Sequence, residues 1–382
     1  MARIDAVVLG NGLNALGVVR ALGAHGLRCA IVSHASSGVA AYSRHVSRHL
    51  VVPENSDPAS IAASLGLPAR QATLFLTEEF DVMRIAADPA PWQAQFLTYF
   101  HDPALAEQLL SKSSCDALAL QHGAPVPKTV TVLSPSDLPA LDALQLPCVL
   151  KPAERNEAYS RQFQKAYRID DRQKLLALLE QMLPLKIPLV VQEWIEGADI
   201  DIYFNLLYID QAGQLLRSFV GRKTLCWPPA VGGTAACMAA PESHEAVTRI
   251  SRDFLASMGF RGLIGIEYKR DSRDGRYYLI EPTVYRTDYQ HEVAALNGSD
   301  WLYAAHLSMR GQPIPTEPAY GDRCSWIDFP ASRYSRQMAP PRDDPMLNSV
   351  KTDAHFRVSD PLPGIVHFGR FLRTSVAQRL PF

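Results

Sequence analysis

Gly265-Ile266-Glu267 and, fourteen positions on, Leu279-Ile280-Glu281-Pro282-Thr283 are the stretches that decide the fold of this 382-residue chain. Each reads as a strand, and the charged segment Arg270-Asp271-Ser272-Arg273-Asp274-Gly275-Arg276 between them reads as a turn. Strand, turn and strand bring Glu267 and Glu281 side by side toward one cleft. Two facing carboxylates repel unless a cation lies between them. Mg²⁺ suits that place, because it binds through one or two carboxylates and takes its remaining ligands from water and nucleotide phosphates. The pair predicts a metal–nucleotide site whose other parts should lie elsewhere in the chain.

The length exceeds one ordinary core and predicts two or three domains. A hydrophobic content of 47% is that of a globular protein. A formal net charge of −1 gives no bulk attraction to nucleic acid or membrane. The six cysteines are scattered with no C-x-x-C pair, which argues against a zinc site or a disulfide scaffold and fits a reducing cytoplasm. The start, Met1-Ala2-Arg3-Ile4-Asp5, lacks the apolar core of a signal peptide, and no apolar run is long enough to span a bilayer. The expectation is a soluble, cytoplasmic α/β protein.

Residues 4–9 read as a buried parallel strand, followed by Gly10-Asn11-Gly12, a helical run over 18–23 and a second strand over 29–33. Residues 51–53 and 73–77 look like later strands, which makes a βαβ start to an open parallel sheet. The next glycine, Gly17, comes five positions after Gly12 rather than three. Ser33-His34 stands where an acid would follow the second strand, so the NAD or FAD fingerprint is weak. Helix-like stretches cover 103–119, 172–183 and 244–258, and strands are expected at 146–152, 188–195, 200–209 and 215–223. Beyond Gln312 the chain turns Pro-rich and irregular, as in Pro340-Pro341-Arg342-Asp343-Asp344-Pro345.

Five features line up in order. They are Lys112 before a Gly-Ala-Pro-Val-Pro turn, Lys151 ending a strand as Val-Leu-Lys-Pro, the strand end Gln192-Glu193-Trp194-Ile195-Glu196-Gly197-Ala198-Asp199, and then Glu267 and Glu281. In this ordered set, over roughly residues 106–310, the chain resembles the ATP-grasp superfamily and in particular its carboxylate–amine ligases. The resemblance implies a Rossmann-like pre-ATP-grasp domain over 1–105, a small lobe and hinge over 106–191, a large lobe with the metal site over 192–311, and an irregular extension over 312–382.

The resemblance also implies roles. Lys112 and Lys151 would offset the α- and β-phosphate charge of ATP. Backbone groups at Gln192, Glu193 and Ile195 would meet adenine, and Asp199 the ribose, with Asp201 as a substitute. Glu267 and Glu281 would hold Mg²⁺, with Mn²⁺ as the alternative ion. Thr283 stands where the family has an asparagine ligand, and a hydroxyl ligates more weakly than an amide oxygen. The family's arginine is displaced by one position to Arg286, whose guanidinium would fork an acyl-phosphate. Lys223, at a basic strand end, would reach the γ-phosphate or a substrate carboxylate. The loop 153–161 has no glycine, yet it is polar and basic enough to act as a lid from which Arg161 or Lys165 would reach phosphate or substrate. Surface lysines, solvated turn acids, a structural ion pair at Arg286 and a packing role for His291 are the competing readings.

The reaction implied is ATP-dependent joining of a small carboxylate to an amine through an acyl-phosphate, with release of ADP and phosphate. Lys151 and Arg286 would stabilise the transferring group. Amino acids are the candidate substrates and a homodimer is the candidate assembly. A non-catalytic nucleotide binder and an NAD- or FAD-dependent oxidoreductase are the alternatives. Arg20, Arg44, Arg333 and Arg336 are the basic residues that could receive a substrate carboxylate.

Overall fold

A computed structural model describes residues 3–153, 156–164, 166–230, 232–316, 319–338, 346 and 348–377. Two compact units share the chain. One holds Met1–Glu107, Ala198–Glu267 and Pro282–Phe382, and the other holds Gln108–Gly197 and Tyr268–Glu281.

Unit one opens with β1 (Ala6–Leu9), β2 (Cys29–Ser33), β3 (Val46–Val51) and β4 (Thr73–Leu76), all parallel, in the order β3-β2-β1-β4. β1, β2 and β4 are buried at every residue, which is why they read as unbroken apolar runs. β3 begins well before the strand expected at 51–53. Its Ser47-Arg48-His49 centre is polar because it is an edge strand, half-exposed to water. The Asn14 amide donates to the Thr77 and Thr287 carbonyls at 2.8 and 2.6 Å, tying the first helix to the end of β4.

Unit two holds β5 (Thr129–Val132), β6 (Cys148–Pro152), β7 (Tyr167–Ile169) and β8 (Leu189–Glu193), antiparallel in the order β5-β8-β6-β7. The helix Arg172–Met182 starts on Asp171, whose carboxylate accepts from the Gln173 and Lys174 amides. It drives Leu175, Leu179 and Met182 into a core shared with Leu150, Ile169 and Leu189. Burying each of these side chains contributes about 1.5–3 kcal/mol. The long helix expected over 103–119 is two helices, Pro103–Leu110 and Lys112–Gln121, because Ser111 adopts φ −80° and ψ 120°.

The remaining strands form a third sheet. They are β9 (Ile202–Ile209), β10 (Leu215–Trp227), β11 (Gly233–Ala239), β12 (Gly262–Arg270), β13 (Tyr277–Val284), β14 (Cys324–Ile327) and β15 (Val350–Asp353), in the order β13-β12-β9-β10-β11-β14-β15. The tip of the β12–β13 hairpin is the part of this sheet that counts with unit two. Residues 312–382, expected to be irregular, supply β14 and β15 together with the helices Phe329–Met338 and Leu362–Ala377. β14 pairs with β11 and carries the fully buried Trp326. Four-residue strands after a proline-rich stretch are too short to show a period. Pro340–Pro345 lie outside the described residues. No described helix is long and apolar enough to cross a membrane.

Candidate active site

β12 and β13 are hydrogen-bonded neighbours, as the hairpin reading requires. Gly265 lies beside Thr283, and a β-carbon placed on Gly265 would stand 3.7 Å from the Thr283 Cβ. Glu267, part-buried on β12, meets a partner the sequence did not announce. Lys223 on β10 places its Nζ 2.6 Å from the Glu267 Oε2. Burial opposes charge on this ammonium, but the Glu267 carboxylate overrides it and holds the Lys223 pKa above the ordinary lysine value. The neighbouring Cys226 thiol is pushed up to about 12, chiefly by burial, and so is inert. Glu281 is exposed and Thr283 is half-buried. Carboxylates and a hydroxyl are oxygen donors, the kind that suits Mg²⁺ and not a thiophilic ion. Among the described residues no group of three or more His, Cys, Asp or Glu side chains converges for a metal.

In unit two, Lys112 opens its helix; its side chain lies outside what is described. Lys151 sits on β6 opposite Val190, with its Nζ 3.5 Å from the Gln192 Oε1. The Gln192 Nε2 donates to the Thr129 Oγ1 at 2.9 Å, so the amide is oriented and presents its oxygen to the lysine. At the end of β8 the Glu193 and Trp194 amides donate to the Lys128 and Pro147 carbonyls, and the Glu193 carboxylate accepts from the Gln145 amide. Ile195 is buried just beyond them. The hairpin tip braces this strand end. The Lys269 ammonium stands 5.1 Å from the Trp194 ring, and the Ser272 amide donates to the Glu196 carbonyl. Lys165, a lid candidate, lies outside the described residues. Arg161 is exposed and pairs with Glu157.

Asp199 occupies a different setting from the one expected of a ribose acid. Its two oxygens accept the Cys226 and Ala230 amides at 2.7 and 2.9 Å, which clamps the loop from β10 to β11. The Cys226 thiol hydrogen-bonds the same carboxylate.

Arg286 follows Tyr285, which holds φ at +52°. A bulky residue rarely adopts that conformation. Here the Tyr285 ring is fixed against Phe100 and Phe260, at ring-centre distances of 4.3 and 5.2 Å. Its backbone amide also donates to the Leu263 carbonyl. Gly262 must be glycine beside it, since a β-carbon there would stand 2.5 Å from the Tyr99 carbonyl oxygen. The left-handed turn re-aims the following arginine. The Arg286 Nη2 lies 3.5 Å from the Glu79 carboxylate, and its buried Nε has no hydrogen-bond partner among the described residues.

Sequence reasoning missed Glu78. It follows the end of β4, where strand order reverses between β1 and β4, the place at which open parallel sheets receive ligands. Its carboxylate approaches Gly10 and Gly12. Burial and the Asp81 charge raise its pKa, while Arg286 pulls it back. The only sequence signal was Thr-Glu-Glu following an apolar strand. His291 is a packing residue: its ring is fully buried, burial lowers its pKa to about 4, and its Nε2 would stand 2.7 Å from a β-carbon on Gly17. The glycine at 17 therefore admits His291 and needs no dinucleotide to explain it. Arg20 is committed to Asp360 at 3.0 Å. Arg44 bonds the backbone carbonyl of Ser359. Arg333 and Arg336 line a cavity of about 600 Å³ with Ile327, Phe329 and Met346.

No family model matches the chain. A D-aspartate ligase of Enterococcus faecium (strain Aus0004) is 24% identical over 294 residues, which cover 72% of this chain and 69% of the relative. The Campylobacter jejuni biotin carboxylase, solved with a β,γ-ATP complex, superposes with a TM-score of 0.62 at 13% identity, covering 85% of this chain and 74% of its own. The N5-carboxyaminoimidazole synthetase of Staphylococcus aureus, solved with ADP, gives 0.61 at 11% identity, covering 82% and 80%. The chain thus shares the fold of these solved structures and is similar in sequence to the ligase.

Proposed function

We propose that the chain joins a small carboxylate to the amine of an amino acid through an acyl-phosphate, in the cytoplasm. The observation that carries the reading is the buried Lys223 held on Glu267, next to the Gly265–Thr283 approach on the metal hairpin. A buried cation and oxygen donors of this kind suit a triphosphate and its ion. The amino-acid class rests on the name of the E. faecium relative. Six cysteines that form no disulfide support a reducing compartment.

In the first step a carboxylate oxygen attacks the γ-phosphorus, the bond from that phosphorus to the bridging oxygen breaks, and ADP leaves. In the second, the amine nitrogen attacks the acyl carbon, phosphate departs, and the nitrogen loses a proton. Lys112, Lys151 and Lys223 balance the phosphate charge. Gln192, Glu193 and Ile195 carry the adenine contacts and Asp199 the ribose. Glu267, Glu281 and Thr283 are the residues that would hold Mg²⁺, which when bound neutralises charge on the β- and γ-phosphates. Arg286 steadies the acyl-phosphate. Glu78, its pKa raised toward that of a base, receives the ammonium and takes its proton.

Phosphate release from Mg-ATP, screened over amino acids paired with small carboxylic acids and followed by mass spectrometry of any hit, tests the proposal. Glu281 is exposed, so Glu281→Ala should fold normally and lose stimulated phosphate release by about 100-fold or more. Unchanged turnover in that variant would sink the assignment.

A further inference from the structure

A cavity of about 600 Å³ is lined by the helix Phe329–Met338 and by strands β14 and β15. Strand pairing builds one wall. Ile327 on β14 pairs with Asp353 on β15, and Lys351 lies two residues before Asp353, so the three share one face of the sheet. Phe329, Ser332, Arg333 and Arg336 fall at i, i+3, i+4 and i+7 and form the facing stripe of the helix. The Ser332 Oγ donates to the Ala235 carbonyl at 2.7 Å, which fixes the helix there. Met346, fully buried, also lines the cavity, and its Sδ accepts from the Thr224 Oγ1 at 3.2 Å. The register separates this cavity from the Lys223–Glu267 pair. On β11, Cys237 stands opposite Lys223, whereas the adjacent Ala236 stands opposite Ile327. Adjacent residues of a strand point to opposite faces, so Lys223 and Ile327 lie on opposite sides of the sheet.

The lining has two characters. Ile327, Phe329 and Met346 are apolar, and among the other described lining residues Arg333, Arg336 and Lys351 stand against one carboxylate, Asp353. An apolar cavity of this size with a few charged groups is the usual form of a small-molecule site. Three cations beside one acid favour an anion. Arg333 and Arg336 stand three residues apart on one helix face, and their guanidinium forks match the oxygens of a carboxylate or a phosphate. Each guanidinium carries five N–H donors, so a bond to a neighbouring residue leaves others for a ligand. We propose that this cavity binds a small amphiphilic anion, its apolar body against Ile327, Phe329 and Met346 and its carboxylate or phosphate head on Arg333 and Arg336. The sheet stands between this site and Lys223, so the ligand is an effector rather than a reactant there. The inference does not rest on the ligase reading.

The test titrates the full chain with octanoate, octyl phosphate and octanol by isothermal calorimetry, with no turnover required. At least one of the two anions should bind about tenfold more tightly than octanol, and raised salt should weaken that binding. Whichever anion binds more tightly identifies the head group. The double variant Arg333→Gln/Arg336→Gln should lose the anion's advantage by about tenfold while keeping its melting temperature and its octanol binding. Phe329 is exposed by 64%, so Phe329→Ser should fold normally and weaken all three probes alike, by about threefold or more. Octanol binding as tightly as both anions overturns the proposal, as does parental binding by either variant. Displacement of the anion by saturating Mg-ATP also overturns it, because the probe then sits in a nucleotide site.

Discussion

Lys223 and Glu267 form an ion pair in which one partner is buried and the other still meets solvent. Removing the cation leaves a carboxylate that the surrounding strands cannot fully solvate, at a cost of about 2–3 kcal/mol, somewhat less than for a fully buried pair. Lys223→Met should therefore lower the melting temperature. It should also cut kcat/KM for phosphate release by about 100-fold or more, since a phosphate oxygen loses its counter-charge. Steady-state kinetics beside thermal melts would check both; parental kinetics would remove Lys223 from the site. At this scale the sequence was partly readable. Glu267, Glu281 and Lys223 stood out as acids and a base at strand ends. The pairing of Lys223 with Glu267 was not readable, because β9 lies between their strands and sheet order cannot be deduced from local pattern. Glu78 was missed for a related reason: its setting is made by Gly10, Gly12 and Arg286, which are distant along the chain.

The connection from β10 to β11 is held by one side chain, at the end of β10 and at Ala230. Asp199 takes the Cys226 amide, and it takes the Ala230 amide where that residue holds φ at +68°. A non-glycine residue in that region is strained by about 1–2 kcal/mol, so the clamp acts against the loop's own preference. Asp199→Ala should release it, raising amide exchange at Cys226 and Ala230 by about tenfold or more with the strands still protected. Unchanged exchange would show that the loop holds itself. Of the strands flanking this loop, β10 was legible over 215–223 and β11 was not; β4, β6, β8 and the hairpin were legible from their apolar content. The polar edge strand β3 and the short β14 and β15 were not, since they lack the period that identifies longer elements.

Across the whole molecule, three histidines are buried as neutral rings. Burial lowers His291, His306 and His355 from the ordinary 6.5 to about 4. Between those values the unfolded chain takes up protons that the folded chain refuses. Stability is thus fully present above about pH 6.5 and declines as pH falls toward 4, by up to about 1.4 kcal/mol per unit for each ring. Melting temperature should be level from pH 7 to 8 and drop by several degrees by pH 5; a flat profile would place these rings in contact with water. The division into two units was the least legible feature at this scale. Continuous domains were the natural reading, whereas each unit draws on separated stretches of chain.

That division has a consequence in time. The Pro125 carbonyl accepts from the Leu279 amide, and the Glu196 carbonyl from the Ser272 amide, so unit two ends with partners contributed by the hairpin tip. A ribosome delivers residues 108–197 and must then synthesise 198–267, which belong to unit one, before the tip appears. The smaller unit waits, its strand end unbraced and its Trp194 ring without Lys269, until residue 281 has emerged. Nascent chains halted before that point would hold a complete β5–β8 sheet with unfinished edges. The end of β8 is therefore completed late in synthesis, by the turn that joins β12 to β13.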